Sequence, residues 1–140
     1  MAALAAAANR QTRNASGKHM VLQMAAATTI YKGAIVCIDA AGNAVAGADT
    51  AGLQVAGIAH ETVANAGAAG AKLIVVEYDA EFLFAATSIT LAMVGDLMVI
   101  VTDNDVDDAA GATNDISVGR LIEFVSTTSG WVYVPGLTGL

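Results

Sequence analysis

The 140-residue sequence predicts an all-β domain, a compact jelly-roll-like sandwich or barrel of about eight strands, behind an extended N-terminal arm. Three observations lead there. Val, Ile and Thr supply 36 residues against 10 Leu, and their stiff χ1 torsions suit a pleated surface better than a helix. From Met20 onward, short apolar runs alternate with turns rich in Gly, Asn and Asp. No 11-residue segment of the body carries helical periodicity. Many short strands with Gly-rich turns and no helices imply a sandwich or barrel.

The elements follow in order. Residues 1–18 form the arm, whose alanines are too few to hold an isolated helix and are followed by Asn14, Ser16 and Gly17. An extended segment that is flexible or orders on a partner is expected there, with residues 19–140 as one β domain. Met20–Met24 is the first candidate strand, and Ala34–Ile38 the second, ended by the Asp39–Asn43 turn. Gln54–His60 is the third, where Gly57 signals a bulge or a close backbone approach. After the Asn65–Gly70 loop comes Lys72–Tyr78, whose Ile74–Val76 run reads as buried on both faces. Phe82–Ala86 places Phe82 and Phe84 on one face, and Leu97–Thr102 ends in an acidic turn, Asp103–Asp108. Val118–Val125 and Trp131–Val134 close the set, joined by the hairpin-like Ser126–Gly130 connector.

Charge is scarce and uneven. Charged residues are 14% of the chain, below the roughly 25–35% of a typical soluble surface. Residues 1–32 carry Arg10, Arg13, Lys18 and Lys32 and no acid, whereas the remainder holds all 13 acids. A basic arm on an acidic body suggests that the two face different surroundings. Arg10, Arg13 and Lys18 are therefore the candidate partner-contacting residues of the arm. The acidic body argues against direct nucleic-acid binding.

Several functions lack the residues they require. The uncharged stretches are too short or too interrupted for a membrane span, and the order of alanines and arginines in the arm is wrong for a secretory signal. The lone Cys37 makes no internal disulfide, which fits synthesis in a reducing cytoplasm. His19 and His60 lie 41 residues apart and do not make the multi-histidine cluster of a cupin-type enzyme. Asp103–Asp108 starts like a calcium loop, but Asp108 and Asn114 stand where Gly and Glu are needed. Gly67–Lys72 is too short for a phosphate loop, and no nucleophile elbow occurs. No catalytic residue, metal site or cofactor is expected.

The order of motifs along the body is informative. Tyr31-Lys-Gly-Ala-Ile-Val36, Asp39-Ala-Ala-Gly42, Asp49-Thr-Ala-Gly-Leu53, Gly57-Ile-Ala59, Asn65–Gly70, Phe82-x-Phe84, Val94-Gly-Asp96, Val101-Thr-Asp-Asn104 and Gly130-Trp-Val132 follow one another. Over residues 20–136 this series resembles the cement, or decoration, proteins of tailed-bacteriophage heads. The resemblance implies a non-enzymatic structural virion protein on the outer surface of an icosahedral capsid. It implies the major capsid protein as partner, whose subunits such proteins bridge, and synthesis in the host cytoplasm. Self-association is also implied, a homodimer by the common twofold closure or a homotrimer. The competing reading is a carbohydrate-binding or adhesion module, which would need aromatic platforms; aromatics are only 5% of the chain, and Trp131 and Tyr133, two apart on one strand face, read as core or interface.

Overall fold

A computed structural model describes residues 3–108 and 112–137. The chain is all-β, with a short 3-10 turn at Leu91–Met93. Among the described residues it has thirteen strands: the eight expected ones and five more of two or three residues each, in the arm and the connections.

The first sheet is built from β9 (Ala80–Ala86), β10 (Leu97–Ile100), β11 (Asp105–Asp107), β12 (Ser117–Ser126) and β13 (Ser129–Val134). Its order β9-β11-β10-β12-β13 returns to β9, so these five strands close into a barrel. Only the β11–β9 contact is parallel, and it spans two residue pairs, Asp105 with Ala85 and Val106 with Ala86. The N-terminal half of that β9 edge is covered instead by β1 (Thr12–Arg13), which pairs with Phe82 and Glu81. Closure and the arm together leave β9 without a bare edge.

The second sheet runs β2 (Lys18–Gln23), β8 (Leu73–Tyr78), β6 (Gln54–Ala59), β4 (Ile35–Ile38) and β5 (Ala44–Ala46), antiparallel throughout. An isolated bridge between Met24 and Ala44 ties its two outer strands together. A small pair, β3 (Thr28–Ile30) with β7 (Val63–Asn65), completes the set.

Two cores result, and β4 and β6 stand between them. Ile35, Cys37, Val55 and Ile58 pack with Phe82, Phe84, Met98, Ile100, Leu121 and Val132 of the barrel. Val36, Ala56 and Ala59 point the other way, towards Met24, Ile30, Ile74 and Val76. The strands buried on both faces are therefore β4 and β6, not Ile74–Val76. In β8, Ile74 and Val76 are buried while Val75 is partly exposed on the outer face.

Local chemistry sets the turns. Asp39 Oδ1 accepts from the Ala41 and Asn43 N–H groups, 2.9 and 3.0 Å away, closing the β4–β5 hairpin as an Asx-type turn. Buried Asn65 organises its loop by donating to Ala25 and Ala68 carbonyls and accepting from Gly67 N–H. Gly57 meets its expectation: a Cβ there lies 2.4 Å from the Glu77 carbonyl oxygen, so only glycine lets β6 approach β8 this closely. The acidic run does not form an exposed turn. Asp105–Asp107 is a buried strand of the barrel, and Asp105 Oδ2 is buried without a hydrogen-bond partner. The Thr102 hydroxyl donates to Asp105, and Asp108 N–H to Asp107.

Candidate functional site

The arm lies along the body, and its three basic residues engage the chain's own groups. Arg10 turns inward, donating to the Gly33 carbonyl at 2.7 Å, the Leu83 carbonyl at 2.8 Å and Asn104 Oδ1 at 2.9 Å. Its guanidinium carbon sits 4.5 Å from the centre of the Phe84 ring. Burial pulls its pKa down to about 10, partly opposed by Asp103, so it remains a cation at neutral pH. Leu4 N–H donates to Asp103 Oδ1, a second tie between the arm and the loop before β11. Burial in turn pushes the Asp103 carboxyl upwards, against the pull of that N–H and of Arg10.

Arg13 bridges two carboxylates, Glu81 at 2.8 Å and Glu123 at 2.9 Å, and lies over Trp131. Lys18, the most exposed of the three, pairs with Asp79 at 3.3 Å. Asp79 is the single left-handed residue between β8 and β9, at φ 55°, where the chain passes from one sheet to the other. Tyr133 donates to its carboxylate, so β13 and the arm both pin this junction. Trp131 and Tyr133 do share the outer face of β13, as the alternation predicts. That face is occupied by Arg13 and Asp79, however, and does not present a bare platform for a sugar ring.

Exposed apolar side chains form a second feature. Leu91, at 69% exposure, and Val94 stand at the 3-10 turn, Leu97 at the start of β10, and Ile122 and Val125 on β12. The β12–β13 register skips between Leu121 and Glu123 and again between Phe124 and Ser126. Ile122 and Val125 are thus the extra residues of two bulges, turned outward from the ladder. Val21 and Leu73 form a separate apolar pair on the outer face of β2 and β8.

The fold also assembles a cluster that residue spacing does not reveal. His19 and Glu77 are directly opposed across β2 and β8, and Glu77 is opposed to Ile58 on β6. His60 lies two residues beyond Ile58, on the same face, its N–H held by the Val75 carbonyl. The 41-residue gap between the histidines vanishes, and their rings meet edge-on with centres 4.9 Å apart. The sequence reading placed His60 and Glu77 at strand positions but left His19 outside the first candidate strand, Met20–Met24, and pairing decides whether such positions meet.

A cleft of about 600 Å³ is lined by Leu53, Val55, Leu97, Val118 and Leu137, with Asp115, Ser117, Arg120 and Tyr133 among its polar groups. No helix among the described residues is long and apolar enough to cross a membrane. Neither a family model nor a curated protein matches the chain.

Proposed function

We propose that the chain is a capsid cement protein, which binds the outer surface of an icosahedral phage head and bridges neighbouring major capsid subunits. The observation that carries this reading is the outward apolar group on β12, β10 and the adjoining turn, in a chain only 14% charged. Bulges forfeit ladder hydrogen bonds, and here they turn two β-branched apolar residues towards solvent, where a covering partner recovers the apolar contact. Many copies on one rigid shell make modest individual contacts firm. The ordered motif series over residues 20–136 supports the same reading, and self-association as a homodimer accompanies it. The arm's charges are engaged within the chain, so the apolar group is the principal shell contact.

The test uses expanded heads, lacking this protein, from the phage that encodes it. Co-sedimentation should recover the chain on the heads and raise their melting temperature. An Ile122→Asp, Val125→Asp double variant should fold with an unchanged melting temperature yet lose occupancy. Heads that neither bind the chain nor gain heat resistance dispose of the reading. Retained binding by the double variant moves the contact elsewhere.

A further inference from the structure

We propose that His19, His60 and Glu77 form a binding site for one divalent transition-metal ion, with Zn²⁺ the best match. Two imidazoles and one carboxylate supply the borderline nitrogen and hard oxygen donors that suit zinc, and leave one coordination position open. One ligand atom from each residue lies within 4.8 Å of the others. Tetrahedral zinc, with bonds near 2.0–2.2 Å, places its ligand atoms about 3.4 Å apart, so the three need to close by only about 1.5 Å. His19 and His60 are exposed and Glu77 half-buried, so χ rotations achieve this without moving backbone.

The backbone beneath is rigid. His19 and Glu77 are paired on adjacent strands, His60 directly follows the end of β6, and Gly57 holds β6 tight against the Glu77 carbonyl. His19 carries its own orienting contact: Nδ1 lies 3.0 Å from the Gly17 carbonyl, which accepts its proton. That hydrogen bond selects the tautomer with a free lone pair on Nε2, the arrangement by which proteins commonly aim a metal-ligating histidine. His60 and Glu77 also border a cleft of about 170 Å³ shared with Arg10, Thr12 and Lys32. The open coordination position therefore has room for water or an anionic ligand beside two cationic side chains. The site does not depend on the cement-protein reading.

The full-length chain, free of chelator, is titrated with Zn²⁺ alone by calorimetry and with Co²⁺ by visible absorption. One ion per chain should bind, with a cobalt d–d spectrum of mixed nitrogen and oxygen ligation. A large excess of Mg²⁺ should not displace it, because Mg²⁺ prefers oxygen ligands. His60→Ala and Glu77→Gln should each weaken Zn²⁺ binding at least about tenfold, no less than losses of outer-shell partners do. Asp96→Asn, an exposed carboxylate in the turn before β10, should leave it unchanged. Unchanged binding in both His60→Ala and Glu77→Gln overturns the proposal, as does equal competition by Mg²⁺, which marks general attraction to an acidic surface. Absence of stoichiometric binding overturns it as well. Circular dichroism checks that each variant is folded, and His19→Gln replaces either one that is not.

Discussion

The guanidinium carbon of Arg13 lies 4.1 Å from the centre of the Trp131 ring, joining the arm to the last strand of the barrel. The same side chain reaches Glu81 on β9 and Glu123 on β12, so one residue crosses three strands of the barrel wall. Trp131 is the sole tryptophan and reports this contact directly. Arg13→Ala should raise the acrylamide quenching of its fluorescence and shift its emission to the red. Identical quenching in the variant means the arm does not cover the ring in solution.

Arg10 is the deeper anchor. Arg10→Met keeps much of the aliphatic length and removes every donor, leaving the Gly33 and Leu83 carbonyls and Asn104 without this partner. The expected loss is about 2–3 kcal/mol, the scale of leaving buried polar groups unpaired. It should appear as a lower urea midpoint at constant slope. A change below about 0.5 kcal/mol, typical of a neutral surface site, contradicts this role.

Gly57→Ala tests the approach of β6 to β8. The added methyl collides with the Glu77 carbonyl at 2.4 Å, a backbone atom that cannot swing aside. A loss of about 1–3 kcal/mol is expected, the range for overpacking a tight site. Hydrogen exchange should accelerate first at Ile58, Ala59 and Glu77, which pair across that contact. Uniform protection in the variant argues against a local clash.

Tyr133→Phe has a signed pH signature. The Tyr133 hydroxyl bond, followed by Ser16 and Lys18, holds the Asp79 carboxyl below its ordinary value of 3.8. A depressed carboxyl contributes stability above 3.8 that is lost as pH falls through its folded value. The same bond raises Tyr133 above 10.0, so its contribution is present below that pH and lost as pH rises further. The variant should therefore lose less stability in acid and show no tyrosine-linked loss in alkali. Asp103 and Asp107, both raised chiefly by burial, respond oppositely in acid, since protonation favours their buried state. Carboxyl NMR titration of Asp79 separates these effects: its pKa should rise towards 3.8 in the variant. An unmoved Asp79 titration rules the bond out as the cause.

Local pattern was readable wherever one strand face meets one core. Phe82 and Phe84 alternate with half-exposed neighbours as expected, and Asp39–Asn43 and Ser126–Gly130 are turns because their side chains and backbone close locally. It failed where burial came from elsewhere. Ile74–Val76 and Ala34–Ile38 are both continuous apolar runs, yet only the second lies between two cores. Asp103–Asp108 reads as an acidic turn because Asp and Asn bond the local backbone, whereas the partners of buried Asp103, Leu4 N–H and Arg10, are remote in sequence.

The amino-acid sequence alone determined the all-β class, the placement of most strands and turns, and the contrast between a basic arm and an acidic body. Those properties depend on side-chain volume, χ1 stiffness and a period of two, all of which act within a few residues. Tertiary structure alone decided that Arg10 points inward, that Arg13 covers Trp131, and that His19 and His60 meet beside Glu77. These depend on contacts and strand register across separations of 23 residues and more, where a slip of one residue sends every side chain to the opposite face.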